Sequence, residues 1–403
     1  MQRRDFLRQT GLVLAAASTG ALTSCARNPA LTAAANEPAP PLPVARLSSG
    51  IAELAPVRAS VDRITGIYVC TRPFRAAGPR IEAERFDDKT IVHNSGHGGA
   101  GWSLSWGSSA LAVGLARETG ARELGVIGCG ALGLTSAILA QRAGLSVRIY
   151  AKELPPDVQS MRASGVWSPD SRICDAAHGE AFADRWEAMT RESFRMYQGL
   201  LGLPGRPIEW IDGYALSDEP WDHPSPAVAD EPAYPDLHAR VRDLTPRGLD
   251  LEPGTHPFAH AYVRRHTTMM FNISTYARML LSEFREAGGT VEVREFHSPH
   301  ELMALPERTL IHATGYGARA LFNDDSIIPV RGQTARLIPQ PEVTYGLYVA
   351  PNLSMVPRSD GLLVQVLGDS GNFGNADVTP DRAASEAAVR QLAGVMSGTR
   401  RTR

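Results

Sequence analysis

Gly128-Cys129-Gly130-Ala131-Leu132-Gly133 stands between two short apolar runs with alternation, residues 124–128 and 145–151, and leads into residues 131–143, where Leu134 and Ile138 are one helical turn apart. A Gly-x-Gly-x-x-Gly alone is a weak signal. One that ends a strand, opens a helix and is followed by a second strand specifies a βαβ dinucleotide-binding unit. The glycines let the backbone approach a pyrophosphate, and the free N–H groups at the positive end of the helix face it. An acidic residue at the tip of the second strand, about 20 residues on, accepts hydrogen bonds from the ribose hydroxyls. Glu153 has that spacing, and Lys152 competes with it for the position.

Upstream lies a second glycine-rich segment, His93-Asn94-Ser95-Gly96-His97-Gly98-Gly99-Ala100-Gly101-Trp102-Ser103-Leu104-Ser105-Trp106-Gly107. Downstream, Phe182, Trp186, Met189, Ser193, Tyr197 and Leu200 recur at three and four residues, an amphipathic helix whose stripe is core. Residues 273–287 put Ile273, Tyr276, Leu280 and Phe284 on one helical face, Gly288-Gly289 ends that helix, and a strand begins at 290. The stretch 204–258, rich in Pro, Asp and His, reads as short strands and loops of a substrate domain. An apolar run from Thr309 ends in the turn Thr314-Gly315, Val330-Arg331-Gly332-Gln333 opens another strand region, 362–367 reads as a strand and 379–396 as an alanine-rich helix. The fold class expected is α/β: a Rossmann-like nucleotide-binding domain with a mixed β-sheet substrate domain.

At 403 residues and 43% hydrophobic content the chain can bury two or three domains, and 41 Lys plus Arg against 43 Asp plus Glu give no field for nucleic acid or an anionic membrane surface. Arg3-Arg4-Asp5-Phe6-Leu7-Arg8, followed by apolar residues 11–21, reads as a twin-arginine export signal, too short to span a membrane. Leu22-Thr23-Ser24-Cys25 resembles a bacterial lipobox, which makes Cys25 the expected lipid attachment and membrane anchor; a short uncleaved anchor, or a chance cysteine at an ordinary cleavage site, is the alternative. Residues 28–43 form a Pro/Ala-rich tether. The protein is therefore expected outside the cytoplasm, periplasmic or anchored, after passage through the twin-arginine machinery. Cys70, Cys129 and Cys174 are far apart and suggest no disulfide framework, and no metal site is expected: His93/His97 and His256/His260 have ligand spacing but sit among Gly or Pro that prevent a helix.

The two glycine-rich segments together resemble the ends of a flavoprotein of the D-amino-acid oxidase family, and the resemblance covers nearly all of residues 60–370. Ile149-Tyr150-Ala151, Gly165-Val166-Trp167 with Pro169, Asp212-Gly213-Tyr214, Leu244-Thr245-Pro246-Arg247 and Arg331-Gly332-Gln333 are similar to family landmarks. In that family the fingerprint opens the chain and the His-Gly-Gly segment nearly closes it; here the order is reversed, as in a circular permutation. The division expected is a signal (1–25), a linker (26–46), a permuted segment completing both sites (47–119), FAD-binding parts (120–203 and 272–335) and substrate-domain parts (204–271 and 336–403). The permutation requires helix 379–396 to lie near residues 51–63, and strand 64–72 to share a sheet with 362–367.

The resemblance implies FAD as cofactor, with Gly128, Gly130, Ala131, Leu132 and Gly133 at the pyrophosphate. Ser160, Gly165, Val166 and Trp167 would lie along the flavin. Phe296, Thr314 and Gly315 would lie near the adenine half and ribityl chain, and Gly98, Gly99, Ala100, Gly101, Trp102 and Ser103 around the isoalloxazine. It implies that Arg72 clamps the substrate carboxylate and that the Gly99 carbonyl orients the amine. The chemistry implied is oxidative deamination of D-amino acids by hydride transfer from the α-carbon to flavin, giving a 2-oxo acid, ammonia and, with dioxygen, hydrogen peroxide. One departure stands out: the family tyrosine three residues before a proline is Ser354 here, and Tyr348 or Tyr345 is the candidate replacement hydroxyl. The alternatives are a flavin-dependent dehydrogenase passing electrons to a quinone or carrier, and a flavin-binding protein without turnover.

Overall fold

The computed structural model describes residues 54–222, 228, 230–368 and 370–399; the export signal, Cys25 and the tether lie outside them. Along the chain run β1 (Ile64–Arg75), β2 (Arg80–Phe86), β3 (Lys89–Ser95), α1 (Ser105–Glu118), β4 (Glu123–Ile127), α2 (Ala131–Arg142), β5 (Ser146–Ala151) and α3 (Gly179–Gln198). Then come β6 (Ile208–Ser217), β7 (Leu249–Leu251), β8 (Tyr262–Phe271), α4 (Ile273–Glu286), β9 (Thr290–Val293), β10 (Thr309–His312) and β11 (Ile327–Leu337). The chain continues with β12 (Tyr345–Val349), β13 (Leu353–Arg358), β14 (Gly361–Val366) and the long carboxy-terminal helix α5 (Arg382–Ser397).

Six strands form one sheet in the order β2-β3-β10-β4-β5-β9, parallel from β3 to β9 with β2 antiparallel at the edge. The fingerprint strand β4 is central, and β4-α2-β5 is the βαβ unit expected from the glycine spacing. α1 and α2 pack against each other, with α1 against β3 and α2 against β5, and α4 packs on α2. The stripe Phe182, Trp186, Met189, Ser193 and Tyr197 of α3 is buried as its period requires. On the opposite face Ile91, Ile127, Tyr150 and Leu310 pack with Leu302 and Leu305.

The other eight strands form a mixed sheet, β1-β11-β14-β13-β12-β6-β8-β7. Its register sorts the side chains by face. Leu347, Met355, Val364 and Ala335 are cross-strand neighbours and enter a core with Ala388, Val389 and Leu392 of α5 and with Val57. The opposite face carries Tyr348, Ser354 and Gln365 in register on neighbouring strands, and farther along it Cys70 beside Gly332 and Arg72 beside Val330.

β1 is therefore in the same sheet as β14, separated only by β11, and α5 packs on residues 54–61. This is the arrangement that the reversed motif order requires. Residues 47–119 do not form a body of their own: β1 joins the eight-stranded sheet, whereas β2 and β3 join the six-stranded one. Likewise 272–335 supplies β9 and β10 to the nucleotide sheet and β11 to the other, so the chain changes sheets before Ile327. Among the described residues no helix is long and apolar enough to cross a membrane.

Candidate active site

The fingerprint glycines are needed for close approach. Gly128 has φ +114°, and a Cβ there would sit 2.5 Å from the Ala313 carbonyl oxygen at the end of β10. A Cβ on Gly133 would come within 2.0 Å of the Gly128 oxygen, so only glycine lets α2 lie this close to β4. α2 starts at Ala131, whose N–H donates to Ser160 Oγ at 3.2 Å. Ser160 also accepts the Trp102 indole N–H on its carbonyl at 2.8 Å. It thus ties the fingerprint to the upstream glycine segment.

That segment is pressed against residues 165–172. Gly98 donates to Pro73 O at 2.8 Å and Gly99 to Ser171 O at 2.9 Å. A Cβ on Gly98 would be 1.9 Å from Arg172 O, and one on Gly99 2.4 Å from Ser171 Oγ. Ser103 Oγ accepts the Ser168 N–H at 2.8 Å, and Ala100 and Trp102 are buried. Gly165 and Trp167 are held to β8 through Phe271 and Met269, and Val166 forms an isolated bridge with Met270. Gly101 has open space where a side chain would be.

Three buried polar atoms in this neighbourhood have no partner: Ser95 Oγ, His97 Nδ1 and Trp167 Nε1. Ser108 donates to Asn94 Oδ1 at 2.6 Å, so His97 must donate from Nε2 to Ser108 at 2.7 Å, which leaves Nδ1 a bare acceptor. Burial pulls the His97 pKa down to about 3 and keeps the ring neutral. Polar atoms buried without protein partners are answered by water or by a ligand. Side-chain-free glycine backbone around the end of β4 together with these atoms fits a bound dinucleotide.

At the tip of β5 the Lys152 ammonium lies 3.6 Å from Glu295 and is exposed, while Glu153 is half-buried. Phe296 packs edge-on to Tyr150, ring centroids 6.1 Å apart. Thr314 closes a chain of hydrogen bonds that crosses from β10 to β3: Thr314 Oγ1 to His312 Nε2 at 2.6 Å, His312 Nδ1 to His93 Nδ1 at 3.1 Å, and His93 Nε2 to Glu84 at 3.0 Å. Burial holds both histidines below the usual pKa, His312 far below. Gly315 follows with φ +58°. Cys129 and Cys174 are buried thiols pushed up to about 12 and about 11 by burial, and no disulfide joins the described cysteines.

Arg72 sits on the site face of β1. Its guanidinium lies flat on Gly332: a Cβ there would be 2.5 Å from Cζ and from both terminal nitrogens. One terminal N–H donates to Arg331 O at 2.9 Å, and the remaining fork faces a small cavity. The Arg-Gly-Gln motif thereby gains a physical reading. Arg331 O holds Arg72 and Gly332 makes room for it. The Arg331 side chain donates to Thr379 O and Asp377 O, and Gln333 to Asp381 O and Ser385, tying in the start of α5. Burial lowers the Arg72 pKa; Cys70 works against this, and of the nearby charges Arg172 reinforces it while Glu231 opposes it.

Three side chains beside Arg72 were not singled out in the sequence. Arg172, at φ +50°, grips both Glu231 oxygens through Nε and Nη2 at 2.7–3.2 Å, and the Tyr234 hydroxyl donates to Glu231 at 2.9 Å. Nothing local marks them, because Arg172 and Glu231 are 59 positions apart. Tyr234 is a phenol near Arg72, but neither it nor either candidate replacement, Tyr345 or Tyr348, lines that cavity. Tyr345 lies on the core face and donates to Ala55 O, and Tyr348, on the site face, turns its hydroxyl to Pro351 O. Ser354 lies beside Gln365, which does line it.

These glycine contacts define a dinucleotide-binding protein of the glycine-fingerprint type, with an arginine at a small cavity. The family model for FAD dependent oxidoreductases (DAO) matches residues 123–402, so the chain belongs to this family and its cofactor is FAD. It is 30% identical over 270 residues to a D-amino-acid oxidase of Rubrobacter xylanophilus (66% of this chain, 74% of the relative) and 28% identical over 284 residues to one of Streptomyces coelicolor (67% and 77%). Among solved structures it is similar to a glycine oxidase from Geobacillus kaustophilus, with 13% identity, a TM-score of 0.46, and coverage of 70% of this chain and 81% of that one.

Proposed function

We propose that this FAD enzyme oxidises D-amino acids, turning the amino acid, dioxygen and water into a 2-oxo acid, ammonia and hydrogen peroxide. The observation that carries the reading is Arg72: a guanidinium held by Arg331 O and laid on Gly332, with its free fork aimed into a cavity. A planar fork of this kind takes a carboxylate in two parallel charge-assisted bonds and so fixes the neighbouring carbon. FAD, when bound, supplies the two-electron acceptor. Gly128, Gly130, Gly133 and Ser160 hold its phosphate end. Gly98 to Ser103 and Gly165 to Trp167 surround its ring end, and the His97 acceptor and Trp167 donor answer its polar edge. Glu153 takes the ribose.

The chain's own contribution is positioning. Arg72 fixes the carboxylate, the Gly99 backbone orients the amine, and the closely packed 165–172 segment keeps water from the reacting carbon. Similarity to the curated D-amino-acid oxidases supports the D configuration. We also read the twin-arginine signal and Cys25 as directing an FAD-loaded, lipid-anchored enzyme out of the cytoplasm.

The test is anaerobic flavin bleaching by paired D- and L-amino acids, then peroxide release in air. D-amino acids should bleach the flavin, and Arg72→Ala should raise KM roughly a hundredfold, the loss of a charge-assisted pair, with FAD retained. Bleaching by L-amino acids alone, or by none, overturns the reading; bleaching without peroxide assigns a dehydrogenase instead.

A further inference from the structure

A line of four hydrogen-bonded side chains runs from the protein surface to the end of β10. Glu84 on β2, with 44% of its side chain exposed, accepts from Arg80 at 2.9 Å and meets His93 Nε2 at 3.0 Å. His93 Nδ1 lies 3.1 Å from His312 Nδ1, and His312 Nε2 lies 2.6 Å from Thr314 Oγ1. Both rings are at most 1% exposed, and Phe322 packs against each. Burial holds them neutral, and the Arg80 charge adds to it.

The protons of this line can stand in only one way. Where two neutral rings meet Nδ1 to Nδ1, one nitrogen must carry hydrogen and the other must not. A hydrogen on His93 Nδ1 would leave a bare Nε2 facing the Glu84 carboxylate, acceptor against acceptor. His93 therefore donates from Nε2 to Glu84, His312 donates from Nδ1 to His93, and Thr314 donates to His312 Nε2. The Thr314 proton is spent, and among the described residues no donor reaches its oxygen.

Thr314 stands just beyond the carboxyl end of β10, beside β4, the place where open α/β sheets bind their ligands. It is half-buried, and a Cβ on the fingerprint Gly128 would be 3.4 Å from its backbone nitrogen. A hydroxyl oxygen that can only accept attracts another hydroxyl and repels a phosphate oxygen, which is itself an acceptor. FAD offers such hydroxyls on its ribityl chain and on its ribose.

We propose that Glu84, His93 and His312 are positioning residues for the cofactor: they fix the Thr314 hydroxyl as an acceptor, and it takes a sugar hydroxyl of FAD. This concerns retention of FAD and is independent of which amino acid is oxidised.

Two measurements on the full-length protein test it. Nitrogen NMR of isotope-labelled histidines in the holoenzyme, with His93→Gln and His312→Gln to assign the signals, should find His93 protonated at Nε2 and His312 at Nδ1. The second titrates flavin-stripped protein with FAD and with ADP. Thr314→Val should weaken FAD binding roughly tenfold. An equal loss for ADP assigns the ribose, and a loss for FAD alone assigns the ribityl chain. Glu84→Lys, whose ammonium would donate to His93 and reverse every bond in the line, should weaken FAD binding in the parent and add nothing in Thr314→Val. Sites separated by two rings and not coupled through them would instead add. The opposite tautomers, FAD binding unchanged by Thr314→Val, or an equal loss from Glu84→Lys in both backgrounds overturns the proposal. None of these outcomes bears on the D-amino-acid reading, which flavin bleaching decides.

Discussion

The guanidinium of Arg72 rests on the α-carbon of Gly332, with Cζ and both terminal nitrogens 2.5 Å from where a Cβ would be. Gly332→Ala should therefore displace the arginine rather than unfold the strand, because this glycine needs no left-handed backbone. We expect KM for the amino acid to rise roughly tenfold or more, through the misplaced clamp, with FAD still bound. Steady-state kinetics and the flavin spectrum read both quantities; an unchanged KM would show that Arg72 is not the anchor.

Gly133 makes the opposite case. A Cβ 2.0 Å from the Gly128 oxygen must push α2 off β4. Gly133→Ala should cost about 1–3 kcal/mol as overpacking and yield protein largely free of FAD. The ratio of flavin to protein absorbance after purification checks it, and stoichiometric FAD in the variant would contradict the close packing.

Arg358 is buried and bound to Asp360 through Nε at 2.9 Å, with Nη1 on Ala163 O at 2.7 Å. Its cation thus joins the β13–β14 turn to the chain just before Gly165. Asp360→Ala leaves that charge without its partner and should cost about 3 kcal/mol. Urea unfolding measures this; a loss below about 1 kcal/mol would place the pair among those that contribute little.

Acid should weaken the fold before any carboxylate titrates. Burial lowers the pKa values of His93, His97, His266 and His312, His97 to about 3. The unfolded chain binds protons near pH 6.5 and the folded one does not, so stability falls as pH drops from about 7 to 5. For His97 alone the loss at pH 5 is roughly 2 kcal/mol. Urea midpoints at pH 7.5, 6 and 5 should decline steadily, and His97→Gln should reduce the slope. A flat profile would mean that these rings are charged in the fold.

Export can be read directly by cell fractionation. Arg3→Lys with Arg4→Lys should hold FAD-loaded protein in the cytoplasm, and Cys25→Ser should release exported protein from the membrane fraction. Export of the double variant at the normal level would rule out the twin-arginine route.

Much of the scaffold was legible because it is periodic. The strand–glycine–helix–strand order gives β4-α2-β5, and the spacings of Phe182 to Tyr197 and of Ile273 to Phe284 give α3 and α4, although Leu200, counted in the first stripe, falls past the end of α3 at Gln198. The motif order, with the family landmarks, also implied that β1 and β14 share a sheet, as they do. The pocket wall was not legible. Tyr348 and Tyr345 were candidates on sequence proximity to Ser354, yet the two-residue pleat period sends Tyr345 to the core, and a local carbonyl takes the Tyr348 hydroxyl.

By itself, then, the sequence determined the βαβ nucleotide-binding unit, because local backbone geometry ties its glycines to fixed spacings, while FAD and Arg72 as a candidate clamp came from the resemblance to a family. Only the tertiary structure decided what surrounds the clamp. Arg72 meets Arg331 across 259 positions and His93 meets His312 across 219. Such neighbours depend on strand register and loop closure rather than on spacing along the chain, so the Arg172–Glu231 pair beside Arg72 emerges only in the folded chain.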